Sequence, residues 1–384
     1  MENFEFFNPV KILFGKGQIA KLRGAVPAGA RLLVTYGSGS IKRNGVYDQV
    51  IANLQGHTVS EFSGIEPNPA YETLMKAVEV VKRERIDFLV AVGGGSVLDG
   101  TKFIAAAARF EGEPWDILAK NAPVNAAVPL GVVLTLPATG SEMNWFAVIS
   151  RAGTQEKFPF ASPLVYPKFS IIDPEVTFTL PARQVGNGIV DAFAHALEQY
   201  LTYPANAPLQ DRFAESILLT LIEEGPKTLA HSADYNSRAN LCWCASMALN
   251  GLIGLGVPQD WTTHMVGHEL TALRGLDHAQ TLAVVFPGVL AERKQAKRAK
   301  LLQYAERVWG LRTGAEDEKI DQAIQNTRTF FESVGVKTHL KDYGVAPDVV
   351  ESVSKRLAAR GWTTLGERQD IGPKEVEAIL SHSL

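Results

Sequence analysis

The sequence predicts an α/β half with a parallel sheet, residues 1–180, followed by an all-helical half, residues 181–384. Three observations predict it. Apolar runs in the first half are apolar throughout rather than alternating, as strands buried on both faces require. Each of these runs ends in a glycine-rich turn. From about residue 182 onward they give way to apolar residues at helical spacing, as in RFAESILLTLIEEG, AKLLQYAERVWG and QAIQNTRTFFESVG.

RLLVTY (31–36) ends in GSGS (37–40), DFLVAV (87–92) in GGGS (93–96), and PLGVVLTLP (129–137) in ATGSE (138–142). Between the first two, YETLMKAVEVVKRERI (71–86) places Leu74, Ala77, Val78 and Val81 at helical spacing. Strand–helix–strand order with glycine-rich strand ends describes a doubly wound, Rossmann-like domain. The boundary falls near 180, where DPEVTFTLPARQ supplies Pro174 and Pro181. VKILF (10–14) reads as an added edge strand. The basic run from Arg293 to Lys300 precedes Leu301, Leu302, Tyr304 and Val308 on a helix and reads as a solvated face.

At 384 residues the chain has room for two to three domains of about 150 residues. With 46% hydrophobic and 21% charged residues it is a folded protein, not a disordered one. A formal net charge of −3 excludes a general electrostatic role on nucleic acid or anionic membrane. The longest apolar stretch, Ala126 to Ala138, is broken by Pro129 and Gly131 and is too short to span a bilayer. The start, MENFEFFNPVK, lacks a basic region followed by an apolar one, so the expected location is the cytoplasm. Cys242 and Cys244, two residues apart, point to opposite sides of a helix and read as two buried thiols.

The glycine turns suggest phosphate binding. Glycine lets backbone N–H groups approach a phosphate, and a helix after Gly94, Gly95 and Ser96 would offer its positive end. GSGS would converge on the same crevice if its strand neighbours the second one. That first turn has no acidic residue for a ribose 2′-hydroxyl, and Lys42 and Arg43 follow it, which favours NADP(H) over NAD(H). Tight turns need glycine without any ligand, and Lys42 and Arg43 would also suit plain exposure to water.

A second constellation suggests a metal. Asp191, His195 and Glu198 line one stripe of a helix, opposite Ile189, Phe193, Leu197 and Tyr200. The i,i+4 pair of Asp191 and His195 puts a carboxylate oxygen and an imidazole nitrogen within reach of one ion. His264 and His268 repeat that spacing, and His278 follows closely. Imidazole and carboxylate donors suit Fe²⁺ or Zn²⁺ without selecting between them. Spacing alone leaves the choice between His264 and His268 open. The metalloprotease pattern HExxH is absent, because Met265 follows His264.

GGGSVLDGTK (93–102), LTLPATGSEMN (134–144), DAFAHALEQY (191–200) and HMVGHEL followed by GLDHAQTLAVVFP resemble the iron-containing alcohol dehydrogenase family, nearly end to end. GIEPNPAYETLMKAV and LQDRFAESILLTLIEEGP are most similar to its butanol dehydrogenase and broad-range NADPH-dependent aldehyde reductase branch. The resemblance implies a dehydroquinate synthase-like architecture, with NADP(H) in the cleft between the domains. It implies that Asp191, His195, His264 and His278 bind one divalent metal, Fe²⁺ or Zn²⁺, with His268 beside the site as the catalytic candidate. Gly37, Gly39 and Ser40 would match the adenine–ribose end of the cofactor, and Gly94, Gly95, Ser96 and Asp99 the pyrophosphate loop. Thr135, Thr139 and Ser141 would line the nicotinamide side, and Lys157 would lie near the nicotinamide ribose. The implied activity is hydride transfer between NADPH and short- to medium-chain aldehydes, or primary alcohols in reverse, in a homodimer. Two rivals are a lyase like dehydroquinate synthase and a metal-binding protein without turnover. Trp145, Phe146, Phe158 and Trp261 are candidate walls of an apolar pocket.

Overall fold

The computed structural model describes all 384 residues. They form two compact units, Phe7–Leu180 with Ser232–Ser246, and Met1–Phe6 with Pro181–His231 and Met247–Leu384.

The first unit is built on six strands, β1 (Lys11–Phe14), β2 (Arg31–Tyr36), β3 (Thr58–Phe62), β4 (Phe88–Gly94), β5 (Leu130–Leu136) and β8 (Phe169–Ile172). A separate antiparallel hairpin pairs β6 (Phe146–Arg151) with β7 (Glu156–Ala161). The six strands run parallel in the order β1-β8-β5-β4-β2-β3. Inner strands are buried at nearly every position, which is why their sequences are unbroken apolar runs. The sequence expectation of an edge strand near residues 10–14 corresponds to β1, which pairs with β8. Strand β3, TVSEF, is half exposed at the other edge, and β8 has only four residues, so neither makes a strong apolar signal.

Helices α1 (Val46–Asn53), α2 (Tyr71–Arg83) and α3 (Gly95–Ala107) belong to the same unit. Leu74, Ala77, Val78 and Val81 form the buried stripe of α2. The core between layers includes Leu32, Val34, Phe88, Val90, Val92 and Phe169. From β2 the chain steps outward to β3, then returns to place β4 on the other side of β2. That reversal is the switch point at which ligands bind in open parallel sheets. GSGS and GGGS leave the carboxyl ends of β2 and β4 at this point, and residues 138–142 leave β5 next door. The β4–β5 register shifts between Gly93 and Gly94, a bulge at the mouth of the crevice.

The second unit contains α4 (Ala182–Tyr200), α5 (Pro208–Ala230), and all of the chain after α6 (Tyr235–Ala248). There follow α7 (Thr262–Arg274), α8 (His278–Glu292), α9 (Arg298–Arg307), α10 (Glu316–Ser333), α11 (Val349–Ala359) and α12 (Pro373–Ser381). Val266, Leu270, Val284, Val289, Val353 and Ile379 share one core. α4 is packed by α5 and α8, and every residue from Gly188 to Tyr200 is buried. Its polar stripe is therefore as dry as its apolar one. None of the helices is long and apolar enough to cross a membrane.

Two sequence expectations change here. Ser232–Ser246 was expected in the helical half, but it packs with the sheet: Ser246 donates to Glu142, and Trp243 meets Phe14 edge-on at 5.8 Å. Helical spacing identifies a helix without saying which layer it covers. The basic run 293–300 is not a solvated face. Lys297 and Lys300 are buried and ion-paired, with Asp260 and Glu367 and with Asp211 respectively, and those partners are remote in sequence. Cys242 and Cys244 are both buried.

Candidate active site

α4 and α7 supply most of the metal constellation, and the first residue of α8 completes it. One ligand atom each from Asp191, His195, His264 and His278 lies within 4.8 Å of all the others. His264 Nε2 is 3.1 Å from His195 Nε2, and Asp191 Oδ1 is 3.5 Å from His195 Nδ1 and 3.7 Å from His278 Nε2. Two ligands bound tetrahedrally to one ion at about 2.1 Å stand roughly 3.4 Å apart. Three imidazoles and a carboxylate, each offering one donor atom within 4.8 Å of the others, suit a divalent transition metal. Burial holds the pKa of His195 well below the ordinary imidazole range, with the neighbouring His264 adding to the effect. A neutral ring keeps a lone pair for a metal.

His268, one turn after His264, is not in that group of four. Its ring lies 5.5 Å from His278 and 6.3 Å from His264, centroid to centroid, beside the cluster. Geometry thus separates two histidines that spacing left equivalent.

A supporting layer went unread in the sequence. Glu198 hydrogen-bonds to His264 Nδ1 through Oε2. Its Oε1 accepts from the backbone N–H groups of Thr263 (2.8 Å) and His264 (3.3 Å) at the start of α7. With Nδ1 engaged, Nε2 is the atom turned toward His195, the usual arrangement of a metal-ligating histidine. Burial pushes the Glu198 pKa well above the carboxylate range, and Asp260 adds to the shift. On the other flank, Asp277 accepts from Arg183 and from Asn187 Nδ2 (2.9 Å), tying the residue before His278 to α4. The signal for Glu198 was present, because it shares the stripe of Asp191 and His195; nothing local said what it would hold.

In the α/β unit, Gly39 adopts φ 92° before the short helix Ser40–Arg43, a conformation that favours glycine. Gly94 and Gly95 are needed by packing itself. A Cβ on Gly94 would meet Leu136 Cβ at 2.9 Å, and one on Gly95 would meet Thr139 Cγ2 at 2.5 Å. Ser141 Oγ donates to Asp99 Oδ1 at 2.6 Å, and Val148 N donates to Asp99 Oδ2 at 2.9 Å, so this pair of expected cofactor residues braces the turn internally. Thr139 Oγ1 accepts from Ser141 N at 3.2 Å. Lys102 is fully buried, donating to Asn144 Oδ1 (2.9 Å) and Phe146 O (2.8 Å), and burial lowers its pKa to about 8. Lys157, also buried, donates to Asn68 Oδ1 at 2.8 Å, while Thr135 closes the end of β5.

Lys42 is engaged within the protein, 3.7 Å from Glu61 and over the rings of Tyr47 (4.4 Å) and Tyr36 (5.2 Å). The four aromatic residues are divided between the two units. Phe158 stacks on Trp115 at 5.9 Å inside the α/β unit, where Trp145 packs on Phe146 at 4.4 Å. Trp261, in the helical unit, lies 5.2 Å from the His264 ring.

Comparison with known proteins matches residues 9–174 to the iron-containing alcohol dehydrogenase profile and residues 186–384 to the C-terminal profile of the same family. The chain is 59% identical over 374 residues to the Escherichia coli K12 NADPH-dependent aldehyde reductase YqhD, covering 97% of each. It is 41% identical over 389 residues, the whole of each chain, to the probable NADH-dependent butanol dehydrogenase 1 of Bacillus subtilis. The crystal structure of E. coli K-12 YqhD superposes with a TM-score of 0.99 at 57% identity, covering 100% of this chain and 99% of that one. Matched along both halves and in the architecture that positions its four convergent metal-binding side chains, the chain belongs to the iron-containing alcohol dehydrogenase family.

Proposed function

We propose that this protein reduces short- to medium-chain aldehydes to primary alcohols with NADPH, using one divalent metal, Fe²⁺ or Zn²⁺. The observation that carries the proposal is the convergence of Asp191, His195, His264 and His278 within 4.8 Å. It is supported by full-length similarity to a protein named as an NADPH-dependent aldehyde reductase. When bound, the metal supplies Lewis-acid polarisation of a carbonyl, and NADPH supplies the hydride.

The chain's own residues bind, orient and move a proton. Asp191 contributes the negative charge of the ligand set, and Glu198 orients His264. Their burial excludes water and strengthens every interaction in the site. His268, beside the four, is our candidate to pass the proton that completes the alcohol through an imidazole nitrogen. The turns at Gly37–Ser40 and Gly94–Ser96 would take the adenine–ribose and pyrophosphate ends of the dinucleotide. Asp99 would belong with the pyrophosphate turn, and Thr135, Thr139, Ser141 and Lys157 would shape the nicotinamide side. Relatives at 41% and 40% identity carry NADH in their names, so the preference for NADPH is part of the proposal. We also propose a cytoplasmic homodimer; the edge strand β1 and the exposed Phe7 and Phe14 of the same unit support an assembly surface.

Metal-loaded protein mixed with butanal and NADPH should consume the reduced nicotinamide absorbance and yield one butanol per NADPH, with a higher kcat/KM than for NADH. No consumption with any aldehyde, metal being bound, would sink the reading in favour of a lyase or a binding protein.

A further inference from the structure

Lys297 precedes α9, and its side chain is 1% exposed. Its ammonium donates to Leu201 O at 2.7 Å and to Glu367 Oε1 at 2.9 Å, and pairs with Asp260 Oδ2 at 2.9 Å. Leu201 is the residue that ends α4, the helix of Asp191 and His195. Asp260 lies just before α7, the helix of His264. Its Oδ1 accepts from Thr262 N at 2.9 Å, and its own N–H donates to Glu198 O at 2.8 Å. A small cavity adjoins Glu198, Asp260, Thr263 and Lys297.

We propose that Lys297 is a positioning residue for the metal: one buried ammonium staples the end of α4 to the start of α7 and thereby sets the separation of the ligands those helices carry. The physical need is clear. Metal–ligand distances tolerate only about 0.2 Å, and the ligands come from different helices. Without the ammonium, the carboxylates of Asp260 and Glu367 and the Leu201 carbonyl would share one dry space with no positive partner, and would move apart. The inference rests on the metal reading given above and is independent of the dinucleotide.

The test uses full-length protein, stripped and titrated with Zn²⁺ against a chromophoric chelator, well below the melting temperature of each metal-free variant. Lys297→Met should weaken Zn²⁺ binding about 10–100-fold, the range seen when a residue behind a metal ligand is removed, while the NADPH dissociation constant stays within twofold. Glu367→Gln, which leaves the pair with Asp260 in place, should shift Zn²⁺ binding in the same direction by less, and it carries the test should Lys297→Met not fold. A lowered melting temperature with Zn²⁺ affinity within twofold of the parent would overturn the proposal, leaving Lys297 a residue of the fold alone. A parent protein that binds no Zn²⁺ would instead overturn the metal reading, and the staple with it.

Discussion

Glu198 holds His264 twice, at the ring through Nδ1 and at the backbone through the N–H that opens α7. Ring orientation and helix start are therefore both held by one carboxylate, the ring through Oε2 and the backbone through Oε1.

Substitution of Glu198 by glutamine tests this. Glutamine offers one acceptor oxygen where glutamate offers two, so it cannot serve both the imidazole Nδ1–H and the backbone N–H groups of Thr263 and His264. Metal affinity should fall about 10–100-fold, read by chelator competition. Unchanged affinity would place Glu198 in the fold alone.

The four-atom cluster predicts a sharp difference among neighbouring histidines. His278→Ala should lose metal and nearly all turnover while still binding NADPH, measured by nicotinamide fluorescence. His268→Ala should keep its metal and slow turnover at saturating substrate. Loss of metal from the second variant would place His268 in the ligand set.

The glycine turn makes a prediction about packing. Gly95→Ala sets a Cβ 2.5 Å from Thr139 Cγ2, so α3 or the turn at 138–142 must shift. Overpacking of this kind costs about 1–3 kcal/mol, and NADPH affinity should fall with it. Urea denaturation and cofactor titration on the same sample check both, and an unperturbed midpoint would contradict the packing argument.

Lys102 predicts a pH dependence. Burial lowers its pKa to about 8 from 10.5, so between those values the unfolded chain holds a proton that the folded chain has released. Stability then rises with pH across that window, by up to about 1.4 kcal/mol per pH unit for one proton. Lys102→Met should remove that increment. The check is the difference in unfolding free energy between parent and variant at pH 8 and pH 10; parallel curves would refute it.

Much of this was legible in the sequence, and the limits have physical causes. The inner strands announced themselves because burial on both faces leaves an unbroken apolar run. Edge strand β3 and the hairpin strands were silent, since half-exposed strands mix polar with apolar residues. The i,i+4 spacing exposed Asp191 with His195, because both sit on one helix. The choice of His264 over His268 needed the resemblance or the geometry, as it depends on how α7 is rotated against α4. The sequence shows Lys297 only as part of a basic run, because its partners, Asp260 and Glu367, lie 37 residues before it and 70 after it. Long-range ion pairs leave no local pattern.

The complete burial of α4 has a practical meaning for mutagenesis. A helix that is both the scaffold's central column and a donor of coordinating atoms merges two phenotypes. Truncating the large side chains among residues 188–200 destabilises the fold as well as the site, so inactivity there does not identify a ligand. Only variants that stay folded yet fail to retain the ion single out the atoms that grip it.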